Sequence, residues 1–384
     1  MAPAKKPRDP RLDFFRGVSL LAIFFAHVPG GWAREFIWAR FGLSDAAHVF
    51  VFISGFAAAI AFGGTFARMG FLVGAARIFW RVAQLYACHL ALFFLALFLT
   101  AAFDLDYADY LGIDGFFADP VSSVVALFAL RYVPTYFDIL PLYMLVLASV
   151  PLVMALARVH PGFVIAVSVA LWSFVQATGF NLPAGEGRSW GFNPLAWQLI
   201  FLAGFAFSRG WIVPPRPTRL LLGLCFAYLA FGAAAEIPWI WSLHPDLEGV
   251  HEWAYAHAHK PNLDLRQFAH FLALAFVTLW FVRDRLHWLT SPWGKPFVRL
   301  GQQALPVFFC GMALSHLGGM AMAEFGTGFE VQLLVHGAGI AGLFAVAAIA
   351  RYVKNAPWKT GAKPAPPAQP VPVPAAISAP SVAR

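Results

Sequence analysis

The chain has 384 residues, of which 60% are hydrophobic and only 12% charged, and its mean hydropathy is +0.68. Soluble globular proteins carry about 25% charged residues, so this composition excludes a soluble fold and predicts a protein that crosses a bilayer several times. The net charge of +8 does not indicate a nucleic-acid partner, because the distribution of charge between loops matters more than its sum in a membrane chain.

Apolar runs of about 17 to 25 residues predict the membrane-spanning helices. We expect an all-α integral membrane bundle of about ten such helices, near residues 14–29, 46–64, 80–102, 139–157, 160–178, 192–208, 218–236, 267–282, 301–320 and 329–351. The apolar run at 121–130 is too short to cross and is predicted to be a re-entrant or interfacial helix. No small-residue cleavage site follows the first run, so we expect its helix to remain in the mature protein.

Charge divides the predicted loops into two sets. With the N-terminus inside, the 27 Lys and Arg residues fall on cytoplasmic segments except for Arg34, Arg40, Arg131, Arg188, Lys260 and Arg266. Positive charge collects on the cytoplasmic side of membrane proteins, so an N-in/C-in topology is predicted. Residues 1–13 are then a cytoplasmic arm, 14–352 the transmembrane domain, and 353–384 a Pro/Ala-rich cytoplasmic tail that is predicted to be disordered.

The first predicted helix carries two ionisable residues, Arg16 and His27. They are eleven residues apart, about three full turns, so they share a face and lie about 16 Å apart along the axis. Ionisable groups within membrane segments usually face a bundle interior or a watery cavity. Near the cytoplasmic side, Arg16 would bind the phosphates of a group donor. In the outer half of the helix, His27 would take a proton from the hydroxyl of a group acceptor. The alternative is a positive-inside anchor with a hydrogen-bonded interfacial histidine.

The second predicted helix begins on the outer side with Asp45 and His48, three residues apart. Because the first helix ends on that side, Asp45 could orient His27 as a carboxylate orients a catalytic base. Capping of the helix N-terminus by Asp45 is the alternative.

Further polar residues lie in or beside the predicted spans, mostly on the outer half: Asp138, Asn193, Gln198, Arg266, His270 and His316. Pro134 and Pro141 flank Asp138 and would bend the chain so that its carboxylate points inward. Arg266 and His270, four residues apart, share a helix face. Each of these polar residues is predicted either to bind the acceptor or to brace neighbouring helices through a hydrogen bond.

The long outer loops 103–138, 179–191 and 237–266 combine tryptophans, histidines and carboxylates. Aromatic rings beside polar groups suit a sugar-like ligand, and an aromatic belt at the membrane interface is the alternative. We expect no metal site and no bound cofactor, because neither the histidines of the third loop nor the cysteines have a metal-binding spacing. These residues are His251, His257, His259, Cys88, Cys225 and Cys310.

Several sequence blocks resemble a known family. Arg16 and His27 in the first span resemble the hallmark of the membrane acyltransferase-3 superfamily, and F-V-F-I-S-G-F at 50–56 is similar to its F-F-V-L-S-G-F block. Four blocks resemble the OpgC family more narrowly: R-D-P-R-L-D-F-F-R-G, F-G-L-S-D-A-A-H-V-F-V-F-I-S-G, Y-V-P-T-Y-F-D-I-L-P-L-Y and F-N-P-L-A-W-Q-L-I-F. The resemblance extends from Arg8 to about Tyr352.

The resemblance implies a multi-pass acyltransferase of the bacterial inner membrane. It implies transfer of a succinyl group from cytoplasmic acyl-CoA to the hydroxyls of periplasmic glucans, with His27 as the base and Arg16 as a donor-side residue. It also supports a role in the site for the polar residues inside the matching blocks, which are Asp45, Asp138, Asn193 and Gln198. The family pattern implies an acidic residue where this chain has His48, so the acyl group or the acceptor could differ. Another surface glycan as acceptor, or a polytopic transporter, are the alternatives.

Overall fold

The computed structural model describes residues 9–103, 111–256 and 259–356. The helices in these ranges are α1 (Pro10–His27), α2 (Ala46–Met69), α3 (Phe71–Phe103), α4 (Asp114–Ala118), α5 (Pro120–Phe128), α6 (Ile139–Ala148), α7 (Val150–Val159), α8 (Pro161–Thr178), α9 (Pro194–Arg209), α10 (Arg219–Glu236), α11 (Pro238–Trp241), α12 (Pro245–Ala256), α13 (Leu265–Val282), α14 (Leu286–Thr290), α15 (Lys295–Gln302), α16 (Ala304–Phe325) and α17 (Phe329–Asn355). Short 3-10 helices lie at Trp32–Phe36, Trp38–Arg40 and Lys260–Asn262. An antiparallel hairpin pairs β1 (Pro183–Gly185) with β2 (Arg188–Ser189). The predicted helical class is confirmed for the described residues, with this hairpin as the addition.

Some predictions concern residues outside the described ranges. They are the first part of the cytoplasmic arm (1–8), the segment 104–110 of the first outer loop, His257 of the third outer loop, and the Pro/Ala-rich tail from residue 357 onward.

Within the described ranges, eight helices are long and apolar enough to cross a membrane. They are α2, α3, the pair α6 and α7 taken as one span, α8, α10, α13, α16 and α17. Two predicted spans fall short of this, because α1 carries Arg11, Asp13 and Arg16 and α9 has only 16 residues. Both helices bury much of their surface inside the bundle, where a polar or short segment is tolerated. A multi-pass membrane protein is therefore supported, whereas the total of about ten spans is not confirmed.

The segment 65–81 lies between the predicted helices 46–64 and 80–102 and was therefore expected to be a cytoplasmic loop. In the structure it is almost entirely helical. α2 and α3 are separated only by Gly70, whose φ of 85° is a conformation that L-residues rarely adopt. The 33 residues of α3 span about 50 Å, which exceeds the hydrocarbon core of about 30 Å. The prediction of a loop was wrong because arginines lower the local hydropathy of this segment without interrupting its helix.

Two other predicted elements are subdivided. The span predicted at 139–157 breaks at Ser149, between α6 and α7, where Pro151 lacks the N–H group of a continuous helix. The outer loop 237–266 contains α11, α12 and the 3-10 helix Lys260–Asn262. The short apolar run predicted at 121–130 corresponds to the nine-residue helix α5.

The centre of the bundle is the contact between α2 and α9. A Cβ atom on Gly55 would overlap the carbonyl oxygen of Phe201, and one on Gly204 would overlap that of Phe52. Small residues of this kind let helix backbones approach closely within membranes. α1 packs against α2, α15 and α16, and α6 packs against α2 and α3. This arrangement brings the C-terminal end of α1 together with the N-terminal ends of α2 and α6.

Candidate active site

A cavity of about 550 Å³ lies where the end of α1 meets the starts of α2 and α6. The hairpin and the segment around Lys260 complete its wall. The polar side chains that line it include His27, Asp45, Tyr136, Asp138, Arg188 and Lys260. Three of the residues predicted from the sequence, His27, Asp45 and Asp138, therefore share one space.

His27 is the last residue of α1, and a backbone contact fixes its ring. Its Nδ1 atom lies 2.6 Å from the carbonyl oxygen of Ile23, one turn earlier in the helix. A carbonyl oxygen can only accept, so Nδ1 carries the proton and Nε2 keeps its lone pair in the neutral imidazole. The Tyr136 ring packs edge-on against the imidazole, with centroids 4.9 Å apart. This tautomer has the free nitrogen that a general base requires.

Asp45 caps α2 and also forms charged contacts inside the cavity. Its carboxylate accepts from the backbone N–H of Ala47 at 2.9 Å. Oδ1 lies 2.8 Å from Nδ1 of His48, and Oδ2 lies 2.6 Å from Nζ of Lys260. Burial alone would raise the pKa of the Asp45 carboxyl, but the charge of Lys260 and the contact with His48 hold it well below its usual value. The position in which Asp45 was predicted to orient His27 is occupied by the Ile23 carbonyl instead.

Asp138 immediately precedes α6 and lines the same cavity. Gly191, in the segment that follows the hairpin, leaves room for its carboxyl, since a Cβ at that position would overlap Oδ2 of Asp138. Burial raises the pKa of Asp138 to about 6, and the positive charge of Lys260 partly opposes this rise. Asp138 is therefore a carboxyl that gains or loses its proton near neutral pH inside the cavity.

Lys260 and Tyr136 are among the cavity residues that sequence reasoning did not select. Lys260 was noticed only as an exception to the charge bias, and its partner Asp45 is distant in the sequence. Tyr136 lies two residues before Asp138 and has a φ of 71°, in the left-handed region that is unfavourable for a non-glycine residue. The charge exception was a usable signal for Lys260, and the signal for Tyr136 was its place in the block Y-V-P-T-Y-F-D-I-L-P-L-Y beside Asp138.

Five of the other polar residues predicted in or beside the spans lie outside the cavity wall: Asn193, Gln198, Arg266, His270 and His316, of which His316 stacks on the Phe137 ring with centroids 5.7 Å apart. Gln198 joins α9 to α8, because it accepts from the Ser168 hydroxyl at 2.7 Å and donates to the Ser168 carbonyl at 2.8 Å. Arg266 pairs with Asp264 at 3.2 Å, and the Nδ1 atom of His270 lies 2.9 Å from the Ser44 hydroxyl. These contacts favour the bracing alternative for Gln198 and His270, whereas the Arg266–Asp264 pair lies within the start of α13.

Asn193 links α9 to two loops. Its Nδ2 donates to the carbonyl oxygen of Phe180 at 2.6 Å and to Oδ1 of Asn262 at 3.1 Å. Its Oδ1 accepts from the backbone N–H of Leu195 at 3.1 Å and so caps the helix. The side chain is fully buried, and it fixes the segment that carries Lys260.

Arg16 lies near the other end of α1, away from the cavity wall. Its guanidinium donates to the carbonyl oxygen of Ile53 at 3.3 Å and lies 3.8 Å from the Asp13 carboxylate. Arg16 and His27 are eleven residues apart in α1, so the two side chains lie about 16 Å apart along the helix axis.

The tryptophans of the outer loops do not line the cavity in the described structure. Trp190 is buried beneath the hairpin, where its Nε1 donates to the carbonyl oxygen of Pro183 at 3.1 Å. Trp239 and Trp253 are 68% and 48% exposed and lie outside the cavity wall. The aromatic rings at the cavity are those of Tyr136, Phe192 and Phe308.

Comparison with known proteins gives one match. The sequence matches a protein family described as OpgC protein over residues 8–355, as the resemblance predicted. The matched range includes every helix from α1 to α17 and every residue of the cavity wall. No curated protein and no solved structure matches the sequence.

Proposed function

Since the chain belongs to the OpgC family, we propose that this multi-pass membrane protein is an acyltransferase that adds succinyl groups to glucans. The donor is cytoplasmic acyl-CoA, and the acceptors are hydroxyl groups of glucans in the periplasm. The protein would lie in the bacterial inner membrane with both termini in the cytoplasm, the topology favoured by the charge bias of its loops.

The single observation that carries this proposal is the state of His27. Its Nδ1 is bonded to a backbone carbonyl and its ring lines a cavity, so Nε2 can take a proton from a bound hydroxyl. The hydroxyl oxygen then attacks the thioester carbonyl, and His27 returns the proton to the departing thiolate of CoA. Histidine is suited to both transfers because its unperturbed pKa of about 6.5 is close to neutral pH.

The donor would bind from the end of α1 that carries Arg16. A guanidinium offers a planar, permanently charged fork to phosphate oxygens, and Arg16 supplies such a group near that end of the helix. Arg16 and His27 are about 16 Å apart along the helix. The flexible chain between the phosphates and the thioester of CoA would cross this interval.

The charge of the cavity fits an acyl group with a free carboxylate. Four cations line it, Arg34, Arg40, Arg188 and Lys260, together with the two carboxyls of Asp45 and Asp138. Succinyl is such an anionic acyl group, and its carboxylate would be attracted to the arginines at the wall. The carboxyl of Asp138 would accept a hydrogen bond from the sugar.

Mass spectrometry of periplasmic glucans tests the proposal. We would compare cells that carry the wild-type chain, a deletion, and His27→Gln. Succinyl-modified glucans are expected only with the wild-type chain, because the Gln amide cannot take the hydroxyl proton. His336→Gln is the matched control, since the Nδ1 atom of His336 lies 2.7 Å from the Gln332 carbonyl but the residue lies outside the cavity wall.

Two outcomes would contradict the proposal. Full modification in the His27→Gln strain, with the protein present in the membrane, would remove His27 as the base. Unmodified glucans in every strain would assign the acceptor to another surface glycan or favour transport. Flux of an unmodified glucan into proteoliposomes without an acyl donor would then identify a transporter.

A further inference from the structure

Lys260 occupies a defined position in the cavity. Its ammonium group lies 2.6 Å from Oδ2 of Asp45 and 5.3 Å from the centre of the Phe192 ring. The ring face attracts the cation, and the carboxylate fixes its direction. The side chain is 47% exposed and lines the cavity wall, so the ammonium group is accessible to a bound substrate.

Hydrogen bonds from two helices hold the backbone that carries Lys260. The Trp197 indole donates to the carbonyl oxygen of Lys260 at 3.1 Å, and the backbone N–H of Asn193 donates to that of Pro261 at 2.8 Å. From α8, the Gln176 amide donates to the carbonyl oxygen of Asn262 at 2.7 Å. A loop fixed in this way can position an ammonium group before substrate binds, as preorganised catalysis requires.

The four cations of the cavity differ in what they contact. Arg40 and Arg34 are within 3.0 and 3.4 Å of Glu35, and Arg188 is 2.8 Å from Glu186. Lys260 is paired with Asp45, a carboxylate that itself lines the cavity together with His27 and Asp138. Among the cations of the described cavity, it is therefore the one that is bonded to a residue of the same wall as His27.

We propose that Lys260 is a catalytic residue that donates a hydrogen bond to the acyl carbonyl oxygen while negative charge develops there. This inference rests on the proposed function. An ammonium group has three N–H donors, so two remain when one is bonded to Asp45.

Acyl transfer passes through an oxyanion intermediate. A lone pair of the acceptor hydroxyl forms a C–O bond to the thioester carbonyl carbon, and the hydroxyl proton moves to Nε2 of His27. The π electrons of the carbonyl move to its oxygen, where Lys260 stabilises the oxyanion. When that electron pair reforms the carbonyl, the C–S bond breaks, and the thiolate takes the proton from His27. The products are the ester and free CoA thiol.

The test measures release of free CoA thiol by purified protein in proteoliposomes, with succinyl-CoA as donor and a β-glucan oligosaccharide as acceptor. Lys260→Met keeps the length of the side chain and removes its donors. We expect kcat to fall about 10²- to 10³-fold, the usual effect of removing one oxyanion donor, with little change in either KM. Lys260→Arg, which keeps charged donors, is expected to retain part of the activity.

A second variant distinguishes a catalytic role of Lys260 from a role in which it only neutralises the charge of Asp45. Asp45→Asn combined with Lys260→Met removes both charges, so no unpaired carboxylate remains. We expect its kcat to stay as low as that of Lys260→Met. Recovery of kcat in the double variant would overturn the proposal, because Lys260 would then serve only to balance the charge of Asp45. The double variant also carries the test if Lys260→Met does not accumulate in the membrane.

His27→Gln separates this inference from the proposed function. Loss of transfer in His27→Gln together with normal kcat in Lys260→Met would overturn the role of Lys260 alone. Normal transfer in His27→Gln would overturn the proposed function itself. A low kcat in His27→Gln, in Lys260→Met and in the double variant supports both.

Discussion

Asn193 provides a direct test of whether a buried polar residue of the bundle binds the acceptor or supports the site. We consider Asn193→Ala, which removes the helix cap on Leu195 and the two bonds that Nδ2 donates to Phe180 and Asn262. The residue is fully buried, so water cannot replace these bonds. The structure assigns it to support of the Lys260 segment, and the variant should therefore lose stability.

The expected loss of stability in Asn193→Ala follows from the contacts that the variant removes. Loss of an N-cap destabilises a helix by about 0.5 to 2 kcal/mol, and each further hydrogen bond contributes about 0.5 to 1.5 kcal/mol. Together the cap and the two bonds give a loss of about 1.5 to 5 kcal/mol. Asn193→Ser keeps a capping oxygen but lacks the amide donors, so its loss should be roughly half as large.

The assay has two readouts. Unfolding of the purified protein in detergent gives the stability order wild type, Asn193→Ser, Asn193→Ala. Steady-state transfer should show a lower kcat in Asn193→Ala, because the loop that carries Lys260 is loosened, while KM for the glucan is unchanged. A raised KM for the glucan in a variant of normal stability would refute this reasoning and place Asn193 in the acceptor site.

Three further predictions concern the wall of the cavity. Tyr136→Asn should lower kcat through loss of the ring that packs on His27, while Asn accommodates the positive φ of this position; unchanged kcat in a folded variant would contradict the role of the ring. Gly191→Ala should lower turnover, since its Cβ would displace the Asp138 carboxyl, and thermal unfolding of the same sample should show a folded protein. With a folded-state pKa of about 6 against 3.8 in the unfolded chain, Asp138 binds its proton more tightly when folded. The stability of the wild type relative to Asp138→Asn should therefore fall as pH rises from about 4 to about 6 and then stay constant, and a flat difference across this range in pH-dependent unfolding would contradict it.

The sequence predicted the helical membrane class and the site of the first helix because both depend on local properties. A long apolar run indicates a membrane-spanning helix by its own length and composition, whatever the rest of the chain does. His27 was found from its position in an apolar helix, since an ionisable group there is unfavourable unless it faces a cavity. The same reasoning was wrong near 65–81, where charge lowered hydropathy but the helices continue on both sides of Gly70.

The partners of the site residues were decided only by tertiary structure. Asp45 was a plausible neighbour of His27 in the sequence, yet its oxygens contact His48 and Lys260, and the Ile23 carbonyl holds His27. Hydrogen bonds and ion pairs form over about 3 Å, so they depend on how helices pack to within fractions of that distance. Hydrophobic periodicity identifies which face of a helix is buried, but it does not specify how closely that face approaches its neighbours.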